Sequence, residues 1–242
     1  AVWGLASAGK TALLARLVDQ EGDWQVRPTG SSEDFVRVLR TCMSSQHLFP
    51  PASVKVDPLD FDFVHRRTGI LASLRLEDRP GDDCRRISEA LRQQVTQAHG
   101  IVLVVDPLTA GSKLDVLSAN FLDVVQVTGR AVAARDRPVA VCVSKADELI
   151  DSPAALRRAI ADPDGFVRGL RQMSSLVRGV ERRCNNIRLF PVSAAGLRLR
   201  FGVVERVVFY DEIFRPRLAP GGEAVNVMAP FTWLLGQISG LP

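Results

Sequence analysis

No stretch of this chain approaches the roughly 18 consecutive apolar residues of a membrane-spanning helix. Its apolar run Ile101–Val105 is closed off by Gly100 and Asp106. Lysine is scarce, with Lys10, Lys55, Lys113 and Lys145 standing among 31 basic residues, and the arginines are interspersed with acids. Aromatics reach only 6%, and Tyr210 is the sole tyrosine. A nucleic-acid binder more often shows a basic stripe with interleaved aromatics; none is present, so the net charge of +4 reads as solvated surface. Cys42, Cys84, Cys142 and Cys184 lie far apart, with no metal-ligand spacing and no disulfide framework, and there is no Asn-x-Ser/Thr sequon. A reducing, cytoplasmic compartment is the expectation. His47, His65 and His99 fall in no nucleophile or zinc-ligand motif.

What is present is an ordinary globular composition: 242 residues, 46% hydrophobic and 24% charged, enough for a substantial core. Ala1-Val2-Trp3 reads as the second half of a buried strand cut short, as in a chain excised from a longer one. Helical spacing follows over 11–18, and a second helix starts at Ser31 or Ser32 with Phe35, Val36, Leu39 and Met43 on one face. Alternation in Val54, Val56, Leu59, Phe61 and Phe63, then in Ile70, Ala72, Leu74 and Leu76, predicts an antiparallel hairpin. Beyond it, helices over 83–98, around Leu114–Val125, over 153–183 with a break near Pro163, and over 231–238 alternate with apolar strands 101–105, 139–143 and 187–192. Short, wholly apolar strands between helices predict a parallel sheet covered on both faces. The expectation is a single α/β domain over 1–242, of three layers, with a mostly parallel sheet and one antiparallel hairpin strand.

Gly4-Leu5-Ala6-Ser7-Ala8-Gly9-Lys10-Thr11 fits G-x-x-x-x-G-K-[ST] between a strand end and a helix start, the context the motif needs. Gly4 and Gly9 let the backbone curl so that successive N–H groups face inward around phosphate oxygens. The helix beginning near Lys10 adds its positive dipole end. Ser7, Ala8, Gly9, Lys10, Thr11 and Ala12 are thus candidate phosphate-binding residues, Lys10 for the β/γ-phosphates and Thr11 Oγ for Mg²⁺.

Together with that loop, three further motifs resemble the P-loop GTPases of the Ras-like superfamily. Asp78-Arg79-Pro80-Gly81 matches DxxG, Ser144-Lys145-Ala146-Asp147 matches [NT]-K-x-D, and Ser193-Ala194-Ala195 matches S-A-[KLA], each at a strand end and in family order from Gly4 to Ala195. The resemblance implies a P-loop NTPase fold binding GTP or GDP with Mg²⁺. It implies Asp78 at the metal through a water, the Gly81 N–H on the γ-phosphate, and Asp147 accepting from guanine N1 and N2 with Lys145 along the base. Ser193 and Ala194 would complete base recognition. It also implies two switch loops read by a protein effector or activating partner. The Phe49-Pro50-Pro51 and Pro230–Leu235 segments look, more narrowly, like bacterial double-GTPase-type proteins, which act in signalling and conflict systems.

The chain departs from the family in several places. Lys10 to Asp78 is 78 − 10 = 68 positions, longer than a minimal Ras-like domain needs, and the extra length is expected in the helix after Ser32. The metal-closing Thr of the first switch is represented by Ser53, just before the hairpin strand, or by Thr29. Asp82 stands where the family's water-positioning Gln belongs; it polarises water but repels phosphate, so slow turnover follows, or help from a partner or from Arg79. Ser144 replaces the loop-tethering Asn. Two readings stay beside the GTPase: a P-loop ATPase with Val102–Asp106 as its Walker B strand, and a nucleotide-binding scaffold without catalysis.

Overall fold

The computed structural model describes residues 1–5, 7–20, 22–51, 57–78, 89–109, 119–121, 123 and 136–239. Its centre is a four-stranded parallel sheet in the order β1 (Val2–Trp3), β5 (Ile101–Val105), β6 (Val139–Val143) and β7 (Ile187–Pro191). Every residue of β5 and β6 is buried. Their side chains divide strictly by parity: Ile101, Leu103, Val105, Val139, Val141 and Val143 enter one core, and Val102, Val104, Ala140 and Cys142 the other. Burial on both faces is why these strands read as continuous apolar runs rather than as alternation.

The first core is covered by α3 (Glu89–Gln97), α4 (Pro153–Ala161), α5 (Pro163–Arg168) and α6 (Ser174–Glu181), through Val95, Ala159, Val167, Leu176 and Val180. The second is covered by α1 (Lys10–Leu17) through Leu13, Leu14 and Leu17, and by α7 (Ala229–Ser239) through Phe231, Leu234 and Leu235. The three-layer expectation therefore holds among the described residues. The break between α4 and α5 has a local cause. Asp162 Oδ1 accepts from the Gly165 N–H at 3.0 Å and Pro163 takes the first helical position, so a new helix starts there, just as Ser152 Oγ, accepting from the Ala155 N–H at 3.2 Å, and Pro153 start α4.

The antiparallel part is larger than expected and lies in separate sheets. The anticipated hairpin is there, β3 (Asp57–His65) against β4 (Leu71–Asp78), and β4 passes beside β1. A strand absent from the sequence reading, β2 (Trp24–Thr29), pairs antiparallel with β3 as the outer strand. Its Pro28 is tolerated because an edge position asks no ladder donor of it. The helix after Ser32 is α2 (Ser32–Arg40), as expected, continued by a π-turn over Thr41–Ser45.

Between β7 and the last helix, where the sequence pattern assigns no element, the structure adds five strands. Residues 193–225 form β8 (Ser193–Arg200), β9 (Val203–Arg206), β10 (Val208–Tyr210), β11 (Pro216–Leu218) and β12 (Glu223–Val225). β12, β8 and β9 make one antiparallel sheet and β10 with β11 a hairpin. Phe201 and Gly202 both have positive φ, 49° and 78°, between the paired Arg200 and Val203, the geometry of a two-residue primed turn.

Candidate functional site

The loop after β1 makes its turn on two left-handed residues, Ser7 (φ 62°) and Gly9 (φ 85°). Gly9 caps α1, which begins at Lys10. A Cβ on Gly4 would stand 2.5 Å from the Val104 carbonyl oxygen, so glycine there lets the loop leave flush against β5. Lys10 is buried, and its ammonium donates back across the loop to the carbonyls of Gly4 at 2.8 Å and Leu5 at 3.1 Å. The loop thus wraps a positive charge inside its own curve.

A second loop follows β6. Ser144 donates to the Val105 carbonyl twice, through its N–H at 2.8 Å and its hydroxyl at 3.1 Å. Lys145 takes the left-handed conformation and its ammonium pairs with Asp106 Oδ2 at 2.6 Å. Asp147 is buried in the short 3₁₀ turn Ala146–Glu148. The Ser193 hydroxyl, at the start of β8, donates to Asp147 Oδ1 and in turn accepts the Gly196 N–H at 2.9 Å. Burial raises the Asp147 pKa above the ordinary carboxylate value; the Ser193 hydrogen bond and the Arg206 charge oppose that shift without cancelling it. A charged carboxylate kept in such a place gains from any ligand that brings N–H donors to it.

One cavity of about 410 Å³ connects these parts, within the range of small-molecule sites. Ser7 to Ala12 form one wall, and Ser144, Lys145, Asp147 and Ala194 contribute to another. Segments distant in sequence therefore meet at the carboxyl ends of the parallel strands, where open α/β sheets bind ligands. Gly4 stands at the loop's entrance and Ser193 behind Asp147, in contact with its carboxylate. Asp78 ends β4, with its backbone alone described. Ser53, Arg79, Gly81 and Asp82 lie outside the described residues. Thr29 is paired within β2, its hydroxyl donating to the Asp60 carbonyl at 3.4 Å, and it does not line the cavity.

Several contributors were not foreseen. Asp106 pairs with Lys145. Arg16, on α1, donates to the carbonyls of Ala194 at 3.1 Å and Gly222 at 3.0 Å, linking the loop's helix to β8. Val208 and Tyr210 of β10 also line the cavity. Asp106 ends the apolar run read above as a Walker B strand, but nothing local marks its pairing with Lys145, and no local pattern marks Arg16, Val208 or Tyr210, which reach the site from segments far away in sequence.

No family model and no curated protein matches the chain. Among solved structures, that of the mammalian SRP receptor is similar with a TM-score of 0.41 and 16% identity, covering 80% of this chain and 89% of that one.

Proposed function

We propose that this chain is a Mg²⁺-dependent GTP-binding protein of the P-loop class that hydrolyses GTP slowly and serves as a nucleotide-controlled switch for a protein partner. The observation that supports it best is convergence: the Gly4–Thr11 loop with its buried Lys10, and the Asp147–Ser193 pair with Lys145, share one cavity. Each motif alone is a common turn, but a cationic loop and a buried carboxylate on one cavity suit a ligand with phosphates at one end and paired N–H donors at the other. Guanine supplies such donors at N1 and N2; adenine does not.

In this reading the N–H groups of Ser7 to Thr11 and the start of α1 bind the phosphates, aided by Lys10. Asp147, held by Ser193, orients the base, with Lys145 and Ala194 beside it. The donor set fits a divalent cation: Thr11 Oγ, Ser53 and Asp78 would hold Mg²⁺, a hard ion that takes oxygen ligands and screens phosphate charge. Gly81 would contact the γ-phosphate and Asp82 the attacking water. Repulsion between Asp82 and the phosphate accounts for the slow turnover. The loops around Ser53 and 78–83 would be the surfaces a partner reads, ordered by the γ-phosphate and released on hydrolysis.

The ATPase reading needs Asp106 at the metal. Both its oxygens are otherwise engaged, Oδ2 by Lys145 at 2.6 Å and Oδ1 by the Leu108 N–H at 2.8 Å. Release of inorganic phosphate from GTP and from ATP, with Mg²⁺ and then with EDTA, tests the proposal. Slow Mg²⁺-dependent release from GTP alone is the expected result. Equal or faster release from ATP would refute it.

A further inference from the structure

Lys145 is a non-glycine residue held at φ 52° on the cavity wall, a backbone conformation uncommon for side-chain-bearing residues. Its surroundings are identifiable. Its ammonium meets Asp106 Oδ2 at 2.6 Å. Asp106 is the first residue past β5, with its side chain 12% exposed. Its other oxygen accepts the Leu108 N–H at 2.8 Å, and its backbone carbonyl accepts the Thr109 N–H at 3.1 Å. The carboxylate is thus fixed by its own turn and cannot follow Lys145 if the loop shifts. β5 and β6 run side by side in register, Val105 opposite Val143, so the pair spans the ends of two adjacent strands. Ser144 ties the same loop to Val105, and the Ala146 N–H reaches the Val192 carbonyl at 3.1 Å. Of these tethers, the Asp106–Lys145 pair alone joins two charges.

The geometry points to Asp106 as a positioning residue for nucleotide binding. By pairing with Lys145 it holds the loop whose next turn carries Asp147, so guanine-nucleotide affinity depends on a carboxylate that contacts neither base nor phosphate. This rests on the guanine-nucleotide reading above and makes Asp106 a base-side group rather than a metal-side one. A charge-assisted contact of this length is strong and directional, and its loss leaves Lys145 without its fixed anchor.

The test is binding of fluorescently labelled GDP to the full chain across a Mg²⁺ titration. Wild type is compared with Asp106→Asn, Lys145→Met and the double variant, and unfolding midpoints are taken alongside. Asp106→Asn should weaken GDP binding about tenfold and leave the half-saturating Mg²⁺ concentration unchanged. The double variant should bind no more weakly than Lys145→Met alone. A full loss from Asp106→Asn on top of Lys145→Met would overturn the proposal. So would unchanged metal-free GDP binding with a raised Mg²⁺ requirement, since Asp106 would then act at the metal. If Asp106→Asn does not fold, Asp106→Glu carries the same comparison: a smaller loss that vanishes in the Lys145→Met background supports the inference, and an equal loss in both backgrounds overturns it. Failure of the wild type to bind GDP overturns the guanine reading itself, before any variant is compared.

Discussion

Two lysines face the same cavity and are held by opposite means. Lys10 is buried and bonded to the backbone carbonyls of Gly4 and Leu5, six and five positions away. Lys145 is 41% exposed and bonded to a side-chain carboxylate 39 positions away. The first arrangement is a property of a continuous segment, fixed once the loop closes. The second is assembled by the fold from separate strand ends, and it comes with a buried carboxylate, Asp147, whose charge state burial makes labile. One end of the cavity is therefore built from backbone and the other from side chains, and the two should fail differently.

The largest expected effect is at the backbone-built end. Lys10→Met removes the buried charge together with its two carbonyl contacts. Binding of a triphosphate, and of inorganic tripolyphosphate alone, should weaken on the order of a hundredfold. Equal tripolyphosphate binding by the variant would break the distinction between the ends. Gly9→Ala should cost about 1–2 kcal/mol of stability in a denaturant titration, because φ 85° is left-handed. The added Cβ itself finds room, with Ser144 Cβ 3.9 Å away. An unchanged unfolding midpoint would mean that the loop re-forms without the left-handed residue.

At the side-chain-built end the expected effects are smaller and depend on pH. Burial raises the Asp147 pKa in the folded protein. The folded chain therefore holds that proton at pH values where the unfolded chain has lost it, and stability of the nucleotide-free protein declines as pH rises through the folded value. Asp147→Asn should remove this decline and leave the protein no less stable at neutral pH, since Asn Oδ1 can still accept from Ser193. Guanine binding in the wild type should weaken in the opposite direction, as pH falls into the range just above ordinary carboxylate titration. Unfolding midpoints and GDP affinities across pH 4.5–8 measure both limbs. A stability profile identical in wild type and Asp147→Asn would contradict the electrostatic picture.

The same contrast explains what could be read without coordinates. Gly4 to Thr11 was legible because its chemistry is contiguous, and β5 and β6 because burial on both faces leaves them wholly apolar. Asp147 and Ser193 were legible only as members of short motifs at strand ends; their contact spans 46 positions. Asp106 was legible only as the end of a Walker B-like run, not as the partner of Lys145, and Arg16 gave no local signal, since its bonds to the Ala194 and Gly222 carbonyls are long-range. β2 was hidden by Pro28, a residue that argues against a strand until the edge position is known. The β8–β9 hairpin was missed because Phe201 occupies a turn position where Asn or Asp is the usual cue.

The most direct test of the central claim is calorimetric titration of the Mg²⁺-loaded protein with GTP-γ-S and with ATP-γ-S, in wild type and Asp147→Ala. The account predicts binding of the guanine analogue alone, weakened at least about tenfold in the variant as a charge-assisted hydrogen-bond pair is lost. Preference for the adenine analogue, or guanine binding indifferent to Asp147→Ala, would contradict it.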